Sequence, residues 1–115
     1  MIVADLLDQV EEVRNAAVAQ DIELPVHAAG MTACYDRLTG VDFTSALTLL
    51  SFGFKIGASE YLVSSVNAPG AGFVCTTIGR IFVASNATAF IRVTGGVAGD
   101  RIRLASFGYL ADKPV

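Results

Sequence analysis

The apolar positions of this chain change period near residue 41. Before that point Val3, Leu6, Val10, Val13 and Ala17 recur at spacings of 3, 4, 3 and 4, with acidic or polar residues between most of them. That is the a/d pattern of a helical heptad, and it predicts an N-terminal α-helix with one narrow apolar seam. The seam is a candidate oligomer interface in a short parallel bundle at a symmetry axis. Little more than two heptads is short for an independent coiled coil, so the alternative is a helix packed on its own domain. Gln20 to Glu23 reads as a linker. Pro25 suits the first turn of a second, weaker helix running to about Leu38 and closed by Gly40, or a loop with a single helical turn.

From Val41 the texture is that of strands. VDFTSALTLLSFGFKIG has few charges, abundant Ser and Thr, and apolar residues at alternate positions such as Phe43, Leu47 and Leu49, a period-two pattern. Gly53 and Gly57 punctuate it, Tyr61 to Val66 reads as a strand, and Asn67-Ala68-Pro69-Gly70 is a turn in which Pro fixes φ and Gly accepts positive φ. The stretch from Gly72 to Leu110 then supplies three or four strands. Phe73 to Ile78 and Arg80 to Ala84 are separated only by Gly79, as in one long strand with a bulge. Ala87 to Thr94 and Arg101 to Leu110 flank GGVAGD, a loop of hairpin type. The predicted fold is mainly β: an antiparallel β-sandwich, jelly-roll-like, or a small barrel, of five to seven strands with an N-terminal α-helix. It divides into residues 1–23 (acidic helix and linker), 24–40 (helical or loop connection) and 41–115 (β-domain).

Composition turns this fold toward assembly. Of the 115 residues 53% are hydrophobic and 17% charged, with a mean hydropathy of +0.56; ordinary soluble domains carry about 25% charge. A chain this small has much surface to cover, and exposed apolar patches mark interfaces. Charge is also uneven: residues 1–23 hold six acids against Arg14 alone, so that segment carries −5 and the remainder +2. A net charge of −3 argues against general nucleic-acid binding. The longest uncharged run, Tyr61 to Gly79, holds Pro69 and three glycines, which excludes it as a membrane span. Asp5 and Asp8 stand where a signal peptide needs a basic start. Cys34 and Cys75 lack any metal or redox spacing and read as buried, reduced thiols of a protein made in a reducing cytoplasm.

Candidate chemistry is sparse. His27 is the only histidine, with Cys34 seven residues on and Asp36 nearby, but no nucleophile elbow accompanies them. Asp8, Glu11 and Glu12 form a solvated acidic face, and Asp42, Glu60 and Asp100 are scattered. GGVAGD lacks the Walker and dinucleotide spacings and reads as a turn that Asp100 closes through its side chain. Arg80, Arg92, Arg101 and Arg103 are the notable polar residues. In a hairpin centred on Val97 and Ala98, Arg92 falls opposite Arg103, an arrangement that asks for an anion. The expected answer is a carboxylate from a neighbouring acidic N-terminal helix; the alternatives are solvent with the register shifted by one, or a phosphate ligand. No catalytic, cofactor or metal residue is nominated, and no enzyme activity is expected.

At GDRIRLASFGYL, Gly99 to Leu110, the chain resembles the penultimate-strand signature of jelly-roll modules of the C1q and tumour-necrosis-factor type. More broadly, an acidic N-terminal helix before a charge-poor, Ala/Gly/Thr/Val-rich β-domain resembles bacteriophage virion structural proteins: capsid decoration or cement proteins, head fibres and tail-fibre attachment modules. That resemblance implies a virion location and a symmetric homo-oligomer, a homotrimer first, bound to other virion or shell proteins, with no cofactor, nucleic acid or membrane as partner. The alternative from another class is a small β-module binding carbohydrate or another surface ligand.

Overall fold

The computed structural model describes residues 3–25, 31–77, 79–83 and 87–111, and of 3–6 the backbone only. The described residues form ten β-strands and no α-helix: β1 (Val3–Leu6), β2 (Val10–Ala16), β3 (Gln20–Glu23), β4 (Thr32–Asp42), β5 (Leu49–Ile56), β6 (Ser59–Asn67), β7 (Cys75–Thr76), β8 (Ile81–Val83), β9 (Ala87–Thr94) and β10 (Asp100–Ala111). They make two antiparallel sheets. Sheet A runs β1-β10-β4-β7, with β2 also on β10 and β8 also on β4; sheet B runs β3-β9-β5-β6. β1 and β2 are therefore one edge strand in two pieces, as are β7 and β8.

Alternation along the central strands builds the core between the sheets. Leu50, Phe52 and Phe54 of β5 and Ala89, Ile91 and Val93 of β9 face Tyr35 and Leu38 of β4 and Ile102 and Leu104 of β10, all buried. Tyr35 packs on Phe54 with ring centroids 5.6 Å apart, and burial pushes its phenol up to about 12. The sheets approach so closely at Gly40 that a Cβ there would lie 3.2 Å from Leu50 Cδ1. Among the described residues the only connection joining hydrogen-bonded neighbours is the two-residue turn at Gly57-Ala58 between β5 and β6, where Gly57 takes φ +58°, a form Gly adopts without steric cost.

The N-terminal helix is corrected by these strands. The heptad spacing arises because Val3 and Leu6 sit in β1 and Val10 and Val13 in β2, on either side of a break at Leu7–Gln9. Ser106 of β10 fills that break: its Oγ donates to Leu7 O at 2.9 Å and accepts from Gln9 N at 3.0 Å. Tertiary pairing with β10 overrides local propensity. The second helix is likewise replaced from Thr32 by β4, the strand beside β10 in sheet A. Gly40 serves close sheet packing there rather than closing a helix. Phe73 to Ala84 is not one long strand but β7 and β8, with Gly79 between them at φ +82°. Segment 100–111 is the last described strand.

Candidate interaction surface

The arginines singled out in the sequence find carboxylates within the chain. On sheet B, Asp21 of β3 lies directly across from Arg92 of β9, whose Nε and Nη2 donate to the two carboxylate oxygens at 2.8 and 2.9 Å. Arg92 also donates to Glu60 at 2.7 Å, and Lys55 donates to Asp21 and Glu23 at 2.9 and 2.8 Å. The Arg92 hydrogen bonds, against the opposing effect of burial, hold the Asp21 carboxyl down to about 2. The same contacts raise Arg92 and Lys55. Beneath the two cations lies the buried Phe90 ring, 4.8 Å from Lys55 Nζ and 5.3 Å from Arg92 Cζ. It occupies the space that a side chain at Gly53 would need.

On sheet A, Glu12 of β2 is the common partner of Arg101, Arg103 and Arg14, at 3.2, 3.0 and 3.2 Å. Burial works to raise this carboxyl, but hydrogen bonds from Arg103 and Arg101 outweigh it and hold Glu12 below the ordinary range. Arg101 and Arg103 stack over Phe43 at 4.7 and 5.2 Å, and Arg37 over Phe107 at 4.4 Å. Arg92 and Arg103 thus do not face one another. GGVAGD crosses from sheet B to sheet A instead of closing a hairpin, and each arginine meets a carboxylate of segment 1–23 in its own chain, Asp21 or Glu12.

The other residues singled out in the sequence are dispersed. Val10 and Ala17 are exposed, while Val13 packs against the core; Val3 and Leu6 lie in β1. Cys34 is buried, whereas Asp36 is exposed and pairs with Arg80 at 3.2 Å; His27 lies outside the described residues. Both cysteines are free and buried, and burial pushes the Cys75 thiol up. A shallow concavity of about 310 Å³ is lined by Ala19, Gln20, Asp21, Arg92, Val93 and Thr94, and its two charges pair with each other.

One polar feature escaped the sequence. The connections 17–19, 43–48, 68–74 and 95–99 gather at one end of the sandwich, tied by backbone bonds such as Gly96 N to Val18 O, Thr48 N to Thr94 O and Gly72 N to Asp42 O. Two buried carboxyls anchor this end. Asp42 Oδ1 accepts from Thr44 N and Ser45 N at 2.8 and 3.0 Å, and Asp100 accepts from Ser45 Oγ at 2.8 Å and from Val97 N at 3.1 Å. Ionised, Asp42 Oδ2 is buried without a donor; protonated, it donates to Asp100. Burial and Asp100 push Asp42 up, and the bond received from Asp42 draws Asp100 down. The two aspartates stand at strand ends far apart in sequence, so no local spacing announces the pair, although the Asp100 bond from Val97 N is the side-chain closure of the GGVAGD turn that the sequence predicts.

What remains unanswered is apolar surface along β6. Phe54, opposite Tyr61, and Phe52, opposite Ser64, face the core, so Tyr61 and Ser64 also point inward. The opposing edge of sheet A, however, is only the short β7 and β8, and β6 outruns its cover. Tyr61, Leu62 and Val63 are 56%, 56% and 46% exposed, and Phe73 and Val74, just before β7, are 56% exposed each. Between the two edges opens a groove of about 220 Å³ lined by Val63, Ser64, Ser65, Val66 and Thr76. The Ser64 hydroxyl in its wall is buried with no hydrogen-bond partner among the described residues.

These features define an all-β protein of two antiparallel sheets in sandwich arrangement, with an uncovered apolar edge. No family model matches the chain, and no curated protein matches it. Among solved structures it is similar to a chain of the infectious bursal disease virus Gx strain structure, with 19% identity and a TM-score of 0.41. The alignment covers 93% of this chain and 29% of that one, so this chain spans less than a third of its length.

Proposed function

We propose that the chain is a non-enzymatic structural subunit, a homo-oligomer that attaches to a larger protein shell of the virion type. The observation that carries this reading is the uncovered edge at β6, where Tyr61, Leu62 and Val63 stand exposed in succession. Apolar surface of that kind marks a contact with another protein. The strand order supports the same reading. β1/β2-β10-β4-β7/β8 facing β3-β9-β5-β6 is the order of a jelly roll, an architecture that viral capsid and lectin domains share. Fold alone assigns no role, and the exposed edge is what favours assembly over ligand binding.

Light scattering coupled to size-exclusion chromatography tests this directly. The expected result is a mass above that of the 12.0 kDa chain at roughly 100 µM, a concentration that populates even weak interfaces. A stable monomer throughout that range overturns the proposal.

A further inference from the structure

We infer that β6 pairs antiparallel with β6 of a second copy across a two-fold axis, so that sheet B continues without interruption into its counterpart. This rests on reading the chain as an assembling subunit, and it names the partner and the geometry.

The four sheet edges differ in a way that singles β6 out. A strand edge is a template for another strand unless it is short, charged or interrupted. At one edge of sheet A, β7 and β8 have two and three residues. At the other, β2 carries Glu11, Glu12 and Arg14, and the edge strand β3 of sheet B carries Asp21 and Glu23. β6 alone is long, nine residues of sequence SEYLVSSVN, with neither Lys nor Pro. Among the described strands it pairs only with β5, which leaves the backbone groups of its outer edge to a newcomer.

The newcomer must bring a strand with apolar side chains and little charge, and β6 itself meets that description. Its single charge, Glu60, is held by Arg92. In antiparallel pairing about an axis near Val63 the two Glu60 carboxylates fall at opposite ends of the contact, some three residues from the axis on each side, or about 20 Å apart. Like charges stay separated. A bulge where Phe52↔Ser64 gives way to Gly53↔Leu62 adds twist near the axis. A second β6 has the same twist, whereas an unrelated straight strand does not.

The groove completes the fit. A two-fold axis perpendicular to the sheet keeps inward-pointing side chains on the same face, which sets the second copy's Tyr61 diagonal to Ser64. Its ring enters the groove beside Val63 and Val66, and its phenol reaches the Ser64 hydroxyl that has no partner. The contact is isologous, so each copy fills the other's groove. This two-fold arrangement takes the place of the homotrimer that the resemblance to virion proteins implied, and the segment expected to form a helical bundle lies in β1 and β2.

Cysteine scanning of the full chain tests the geometry. Single variants Leu62→Cys, Val63→Cys, Ser64→Cys and Asn67→Cys are oxidised under native conditions, while Cys34 and Cys75 stay buried. Covalent dimers are expected to form best at Val63 and its immediate neighbours, and at least tenfold less at Asn67. In parallel, Leu62→Lys at this exposed site is expected to keep its near-ultraviolet spectrum while the dimer dissociates at least tenfold more readily. If the wild type is monomeric, the functional proposal falls and this inference with it. An oligomer unmoved by Leu62→Lys and without cross-links near Val63 overturns the β6 pairing alone.

Discussion

Replacing Asp21 by Asn isolates one ion pair whose strength the structure sets. Asp21 is the acceptor of two Arg92 hydrogen bonds and one from Lys55, and its carboxyl is drawn from 3.8 to about 2. A depressed carboxylate stabilises the fold above its unfolded pKa and loses that contribution as pH falls through the folded value. At 1.36 kcal/mol per unit, a displacement from 3.8 to about 2 corresponds to an upper limit of about 2.4 kcal/mol. The Asp21 side chain is 24% exposed, Arg92 keeps Glu60 and Lys55 keeps Glu23, so solvent screening and the surviving partners reduce the expected loss to about 1–2 kcal/mol. For a domain of this size that is a fall in melting temperature of roughly 4–8 °C at pH 7. Thermal unfolding followed by circular dichroism from pH 7 to pH 2 provides the measurement. The gap between wild type and Asp21→Asn should hold from pH 7 to about 5 and shrink toward pH 2, where about half of the wild-type carboxyl is protonated. A gap that persists undiminished at pH 2 would falsify the electrostatic assignment, since protonation then changes nothing.

Three other substitutions probe separate features. Gly53→Ala places a Cβ 2.5 Å from Tyr61 O and 2.9 Å from the Phe90 ring, and should cost about 1–3 kcal/mol in urea unfolding; a neutral effect means Phe90 does not sit across that glycine. Asp42→Asn supplies a permanent donor toward Asp100. Because the Asp42 pKa is raised in the fold, wild-type stability is lost as pH climbs through that value, so the variant should be more stable by roughly 1–3 kcal/mol at pH 7 and no better at pH 4. A variant less stable at both pH values would show the shared proton to be absent. Ser106→Ala strands the Leu7 carbonyl and the Gln9 N–H and should cost about 1–3 kcal/mol, with hydrogen exchange at Gln9 accelerated; unchanged exchange would refute the role of Ser106 in the strand break.

Local patterns announced the parts of the sheets that are governed locally. The period-two texture after Val41 and the Gly57 turn announced strands around β5 and β6, but Phe43 and Leu47 fall before β5, and Leu49 is out of phase with Leu50, Phe52 and Phe54, which face the core. The boundaries of β9 and β10 followed from Ala87 to Thr94 and Arg101 to Leu110. Whether a short loop closes a hairpin or crosses between sheets is not local information. Gly95 to Gly99 reads the same in either case, and the crossing is decided by β10 finding β4 and β2. The N-terminus misled because two short strands and their break happen to reproduce heptad spacing, while the residues that bury there are Leu7, Ala16, Ile22 and Leu24. Pro25 and Gly40 mimicked helix punctuation for a different reason: Gly40 lies closely against Leu50 of the facing sheet, a partner no window around residue 40 contains. Exposure at β6 was legible only as excess hydrophobicity of the whole chain, because which apolar strand lacks a cover depends on how short β7 and β8 turn out to be.

The position of β10 also sets the order in which this molecule can come into being. As the last described strand it lies between β4 and the β1/β2 edge, so sheet A has no centre until residues 100–111 have followed its other described strands out of the ribosome. Among the described strands only the β5–β6 hairpin joins sequence neighbours, and it can close within microseconds. All other pairings wait on distant segments, which places the domain among slow, high-contact-order folders. During that wait the earliest formed element already exposes the β6 edge proposed above as a pairing surface, so any β6 pairing between nascent chains can precede the assembly of either sheet A.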